Sequence, residues 1–263
     1  MTSLDIRNPF GAPVYHEETV SSTMDVSRRL AAEDAAHGTV ITADFQEAGR
    51  GRIRGREWQM NRKVSLPFTV LLRYPETEDI PPALTLRAGL AVSFAVEDFA
   101  PSLRGQVSVK WPNDIMIQSK KAAGILCEAS GKDVHLGIGI NVFQEEFCAR
   151  LKEKATSIAI AVNNQQGTMN REHSLQNDRF SLLEKALVRL YSEFETQAGK
   201  DWKLRLEQRL YKKGSHVVFI NGAADSGYEI RGCLTGITDS GELVILTDDE
   251  KKMQSFITGE LIF

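Results

Sequence analysis

Four arginines and three glycines fall within Gly49-Arg50-Gly51-Arg52-Ile53-Arg54-Gly55-Arg56-Glu57-Trp58, and the run closes on a tryptophan. Arginine stays charged at ordinary pH and offers a planar fork of donors that suits phosphate and carboxylate. Glycine admits positive φ and lets a backbone come close to a bound group. A pliable, cationic loop ending in an aromatic ring is suited to wrap a nucleotide-like anion and shut water out. Taken alone, the string also fits a solvated basic loop. It follows neither GxxxxGK[ST] nor GxGxxG between a strand and a helix. Its companions must decide.

Four other segments carry chemistry. Ser21-Ser22-Thr23 places hydroxyls at a helix start, where they can cap the helix or, with backbone N–H groups, meet small polar ligand groups. Lys110-Trp111-Pro112-Asn113-Asp114 reads as a turn between strands. Lys110 there could meet phosphate, and Asp114 could bind Mg²⁺ through oxygen or orient a lysine. In Lys121-Ala122-Ala123-Gly124-Ile125-Leu126 a lysine stands at the mouth of an apolar strand beside small residues. In Gly137-Ile138-Gly139-Ile140-Asn141 the alternation puts both glycines on one strand face, leaving a flat slot for a ring or for another backbone.

The elements that must position these groups follow from periodicity and punctuation. Residues 14–20 read as a strand, 24–36 as an amphipathic helix stopped by His37-Gly38, and 39–43 and 64–72 as strands. Pro81-Pro82 opens an apolar helix over 83–99. Strands at 107–110, 115–117, 122–128 and 134–142 follow in series, which implies a mostly antiparallel or mixed sheet backed by helices. Residues 157–164 end this block and run into a polar loop at 163–167. A helix from about residue 178 carries Phe180, Leu183, Leu187, Leu190 and Phe194 on one stripe, and a shorter helix carries Trp202, Leu206 and Leu210. Beyond Lys212-Lys213-Gly214 come short strands at 217–220, 228–237, 242–246 and 253–257, separated by hairpin turns. The expected organisation is an α/β catalytic domain at 1–213 and a small β-barrel-like domain at 214–263.

The 263 residues suffice for a sizeable core, and the net charge of −3 argues against general nucleic-acid or membrane-surface affinity. No apolar run is long enough to span a bilayer, and no signal peptide is expected at the N-terminus. Three widely spaced cysteines without CxxC point to reduced thiols and a cytoplasmic setting. Five scattered histidines without paired spacing argue against a zinc site.

The order of these strings, Ser-Thr, GRGR…GRxW, KWPND, KxxGIL and GxGIN, resembles the biotin–protein ligase family over residues 14–263. The resemblance implies a mixed sheet backed by helices with a C-terminal SH3-like barrel. It also implies activation of biotin by ATP, with Mg²⁺, to biotinyl-5′-AMP, and transfer to a lysine of a biotin carboxyl carrier domain. By the same resemblance Ser22, Thr23 and Gln46 hold the ureido ring, Gly124 and Gly137 give the bicyclic ring and its tail room, and Gly49 and Arg50 meet biotin from the loop, Arg50 meeting ATP as well. Arg52 meets the adenylate phosphate and the carboxylate, Trp58 stacks near the adenine, and Asn113 and Asn141 lie on the nucleotide side. Lys121 bridges carboxylate and phosphate, Lys110 and Asp114 stand near phosphates and metal, and Asp114 helps deprotonate the acceptor lysine.

Two departures stand out. The family loop GRGRRGRxW appears here as GRGRIRGREW, with one extra residue at Ile53 or Arg54, and Met24 replaces the asparagine that usually follows Ser-Thr. The short stretch before the first strand implies a form without the DNA-binding domain that bifunctional members carry, hence no specific DNA binding. A homodimer is left open. The empty arginine loop is expected to be disordered, because its charges repel and its glycines are flexible. Competing readings are a lipoate or other acyl ligase of the same fold, and a non-catalytic nucleic-acid module.

Overall fold

The computed structural model describes residues 1–53, 55, 58, 60–166, 178–222 and 227–262. Eight strands form one mixed sheet: β1 (Thr2–Leu4), β2 (Val14–Val20), β3 (Thr39–Gln46), β4 (Ser65–Arg73), β5 (Val107–Lys110), β6 (Asp114–Ile117), β7 (Lys120–Ser130) and β8 (Asp133–Asn141). Their order is β1-β2-β3-β4-β8-β7-β6-β5. Only the β2–β3 pair is parallel, because helix α1 (Thr23–Ala32) provides the crossover that a parallel pair needs. The central strand β4 is buried on both faces except at Arg73, which explains its unbroken apolar run.

Helix α2 (Leu84–Phe99) packs on α4 (Arg179–Glu195), and both cover the sheet. Leu183, Leu187 and Leu190 of α4 are fully buried. Each contributes about 2 kcal/mol by leaving water, well beyond what helix propensity supplies. Arg87 of α2 donates to the Glu193 carboxylate at 2.9 Å and to its carbonyl at 2.7 Å, pinning the two helices. Helix α5 (Trp202–Glu207) follows, and the chain beyond it lies along the β5 edge, with Val109 N–H bonded to Arg209 O and Tyr211 N–H to Val109 O.

The remaining strands are β9 (His216–Asn221), β10 (Tyr228–Ile237), β11 (Leu243–Thr247), β12 (Met253–Phe256) and β13 (Gly259–Ile262), in the order β12-β11-β10-β9-β13. A barrel is the expectation from sequence. Among the described residues the unit is an open antiparallel sheet with no pairing between β12 and β13. Both edge strands have four residues, too few ladder positions to close the ring. This sheet docks on the larger one through Trp111, whose indole N–H donates to Gly241 O at 3.0 Å and whose ring lies 5.9 Å from that of Phe219.

Some elements differ from expectation. Helix α1 ends at Ala32, because Asp34 turns left-handed (φ 62°) while Ala35 N–H returns to Leu30 O. Residues 158–166 form helix α3 (Ile158–Gln166), where the chain was expected to leave a strand block for a polar loop. Its start is set by Ser157, whose hydroxyl accepts from Ile160 N–H at 3.1 Å, and Ile158, Ala161 and Val162 supply a buried stripe. Residue 167 of that expected loop lies outside the described residues. Strands β1 and β13 add to those expected. No helix among the described residues is long and apolar enough to cross a membrane.

Candidate active site

A cleft of about 510 Å³ opens where α1, β3, β7 and β8 meet the arginine loop. Its polar wall starts at the α1 N-terminus. Ser22 caps the helix by accepting from Met24 N–H at 3.3 Å, and both Ser22 and Thr23 are buried. The Gln46 side-chain carbonyl accepts from Thr23 N–H (2.8 Å) and Thr23 Oγ1 (3.0 Å), while Thr69 Oγ1 donates to Thr23 Oγ1 at 2.8 Å. This relay fixes the rotamers of the wall and ties the helix start to β3 and β4.

Missing side chains shape the floor. Gly124 of β7 and Gly139 of β8 are cross-strand partners, and Gly137 lies two residues from Gly139 on the same face. The Trp58 indole lies flush on this floor. A Cβ on Gly139 would come within 2.7 Å of Trp58 Cε2, and one on Gly124 within 3.3 Å of Trp58 Cζ3. Gly49 makes the return of the loop possible: Trp58 N–H donates to Gly49 O at 2.9 Å, and a Cβ at Gly49 would stand 3.0 Å from Trp58 O.

At the reacting end, Lys121 Nζ stands 2.6 Å from Asp114 Oδ1 and 5.8 Å from the centre of the Trp58 ring. Asp114 opens β6 directly opposite Lys110, the last residue of β5, so the KWPND turn brings the two together. Asn113 clasps the Ile125 peptide, donating through Nδ2 to its carbonyl at 2.8 Å and accepting its N–H at 2.9 Å. Arg50 and Arg52 line the mouth. Arg50 Nη2 reaches Asp25 Oδ1 at 2.5 Å, and Arg52 Nη2 reaches Gly259 O of β13 at 2.9 Å. Partial burial raises the Asp25 pKa, but the hydrogen bond and charge of Arg50 outweigh it and hold the carboxyl below its ordinary value. Burial pushes the nearby Cys127 thiol up to about 11, which removes it as a thiolate nucleophile.

The cleft thus gathers Ser22, Thr23 and Gln46, the loop residues Arg50, Arg52 and Trp58, and Asn113, Lys121, Gly124 and Gly137. Gly49, Lys110, Asp114 and Asn141 do not line it. Asn141 sits in a buried network, donating to Thr156 O at 3.0 Å and accepting from Gln144 Nε2 at 3.1 Å. Gln144 in turn lines a second cleft of about 860 Å³ on the far side of Trp58, with Phe45, Met60, Phe147 and Leu151. Single-residue reasoning missed this second cleft, and also gave Met24 no role in the first. Gly139 was legible in the glycine alternation. Met24 was visible only as a departure from the asparagine of the family pattern. Among the described residues no three His, Cys, Asp or Glu side chains gather to hold a metal. The expectation about loop order bears on residues 54, 56 and 57, outside the described residues.

Residues 17–143 match the model of the biotin/lipoate A/B protein ligase family. The chain is 32% identical over 252 residues to the bifunctional ligase/repressor BirA of Bacillus subtilis, spanning 90% of this chain and 70% of that protein. It is 31% identical over 212 residues to a biotin–[acetyl-CoA-carboxylase] ligase of Paracoccus denitrificans, spanning 78% and 82% of the two. The Aquifex aeolicus biotin protein ligase, solved in complex with biotin and ATP, superposes with a TM-score of 0.74 at 29% identity, covering 95% of this chain and 97% of that one. With that cleft, this fold and relatives alike along most of their length, the chain belongs to the biotin protein ligase family.

Proposed function

We propose that this protein joins the carboxyl group of biotin to AMP at the expense of ATP and passes the biotinyl group to a lysine of a biotin carboxyl carrier domain. The observation that carries this reading is the convergence, in one cleft, of a fixed polar wall, a glycine floor and three cations, Arg50, Arg52 and Lys121.

The biotin carboxylate attacks the α-phosphorus of ATP, the bond to the pyrophosphate oxygen breaks, and a mixed anhydride forms. Two anions must meet for this to happen, so fixed positive charge lowers the barrier. Lys121 bridges carboxylate and α-phosphate from the mouth of β7, with Arg52 beside it and Arg50 on the biotin side. Lys110 faces the phosphates. Ser22, Thr23 and Gln46 hold the ureido ring, already locked in their rotamers before it enters. Gly137 borders the slot for the ligand's ring and tail, whereas the room at Gly124 and Gly139 seats the Trp58 indole beside that slot. Trp58 divides the two clefts, and the adenosine lies on its far side near Gln144, which Asn141 helps to fix, while Asn113 lines the near cleft. Asp114, beside Lys121, would help hold a magnesium ion carried on the triphosphate, which would offset the phosphate charge. In the second half-reaction the acceptor amine, losing its proton to Asp114, attacks the acyl carbon and AMP leaves. A closed loop keeps water from the anhydride meanwhile.

The test is ATP–pyrophosphate exchange with purified protein, magnesium and either biotin or lipoate, followed by labelling of a carrier domain. Exchange dependent on biotin is expected. Exchange with lipoate alone, or with neither acid, would overturn the reading.

A further inference from the structure

Arg50 is the only loop arginine among the described residues whose side chain is bound to a carboxylate, and that carboxylate lies outside the ordered strings that mark the cleft. Asp25 stands in the first turn of α1, directly after the Ser22-Thr23-Met24 wall. It takes Arg50 Nη2 at 2.5 Å and Arg28 Nη1 at 2.6 Å, and Ser21 Oγ donates to its second oxygen at 3.1 Å. The other terminal nitrogen of Arg28 pairs with Glu128 of β7. Two guanidinium groups and two carboxylates therefore form a neutral chain, Arg50–Asp25–Arg28–Glu128, running from the loop over α1 to the sheet. Arg50 lines the cleft while it is held this way, and a guanidinium bound through one nitrogen keeps its other donors for a ligand.

We infer that Asp25 is a positioning residue for adenylate formation, orienting Arg50 at the mouth of the cleft, and that Arg28, braced by Glu128, keeps Asp25 in place. A carboxylate that only stored Arg50 away from the ligand would draw it out of the cleft wall, and Arg50 stays in that wall.

This inference rests on the biotin–ATP reading, and the experiment separates the two. Wild-type protein is loaded with biotin and ATP, and the lifetime of the bound adenylate is followed after gel filtration, alongside pyrophosphate exchange. A wild-type protein that forms no adenylate overturns the functional reading itself. If it does form one, Asp25→Asn is expected to shorten the adenylate lifetime and raise the KM for biotin by about fivefold, the upper end for a partly exposed ion pair, with kcat changed less. Asp25→Glu should restore most of both. Glu128→Gln, which touches neither Arg50 nor Asp25, should shift the lifetime the same way by a smaller factor. An unchanged lifetime in Asp25→Asn, or a longer one with a lower KM, would overturn the positioning role; the second result would mean that Asp25 competes with the ligand for Arg50. Matching melting temperatures across the variants show that the effect is not lost folding.

Discussion

Replacing Gly137 by alanine puts a methyl group where the thioether of Met24 already sits. An ideal Cβ there would lie 2.7 Å from Met24 Sδ, 3.0 Å from Met24 Cγ and 3.4 Å from Leu126 O. The backbone contact is ordinary, so the conflict is with Met24 alone. Met24 is 4% exposed and borders the cleft, so the free direction for its displaced sulfur is into the space meant for the ligand. Inserting one carbon into a packed site costs about 1–3 kcal/mol. If that cost falls on ligand binding, the KM for biotin rises by about five- to 150-fold. The KM for ATP should move little if the nucleotide occupies the proposed place beyond Trp58. Pyrophosphate exchange at varied biotin and fixed saturating ATP measures this directly. A double-mutant cycle with Met24→Ala isolates the cause. In that background the Gly137→Ala penalty should shrink to about twofold or less, since its main opponent is gone. A penalty of full size without Met24, or no rise in KM for the single variant, would refute the placement of the ring slot.

Lys121→Ala should cut adenylate formation by on the order of 10²–10³, the scale for one lost charge-stabilising group. Because Lys121 is partly exposed, its melting temperature should stay within about 2 °C of wild type; preserved exchange would mean the chemistry lies elsewhere. Arg52→Gly loses the contact to Gly259 O and should shorten the adenylate lifetime by on the order of tenfold, with nonspecific labelling of nearby lysines, so an unchanged lifetime counts against the assigned role. His135 bears on pH. Burial first, then the charge of Arg28, lowers its pKa, and Ser27 Oγ lies 2.8 Å from its Nδ1. The folded protein therefore binds fewer protons here than the unfolded chain. The stabilisation is complete above the unfolded value of 6.5 and is lost as pH falls through the folded value. Melting temperature should drop on acidification below pH 6.5, and His135→Gln should flatten that slope; an equal slope in the variant would reject the assignment.

What the sequence disclosed about the cleft came from local strings that fold as local units. Ser22-Thr23 at a helix start, the KWPND turn and the glycine alternation each keep their geometry whatever surrounds them, so residue types alone indicate it. Contacts made across long separations were not legible. Asp25 is unremarkable until folding brings Arg50 to it, and Gln144 gains meaning only where the segment after β8 turns back over Trp58. Met24 reads as one more apolar helix position, and its place over Gly137 depends on how α1 lies on the sheet. Of the fold, the long strands and the α2 and α4 stripes were plain from periodicity. Helix α3 was hidden because its one buried stripe is short and its second half is all amide side chains. Strand β1 has three residues, and the four-residue β13 opens on a glycine at φ 147° packed against Phe219, so neither offers a pattern long enough to read.

The seat of Trp111 has a consequence for how the two sheets work together. One tight turn supplies Asn113 and Asp114 to the reacting end and, from the same few residues, the indole that is buried against Phe219 and Gly241. A tilt of the small sheet must therefore lever the turn, and with it the partner of Lys121. Arg52, tethered to Gly259 O, gives that sheet a second handle on the mouth of the cleft. Severing the chain near residue 213 would bare Trp111 and release Arg52 from Gly259 in one stroke. Cutting the small sheet away should therefore cost turnover long before it costs solubility.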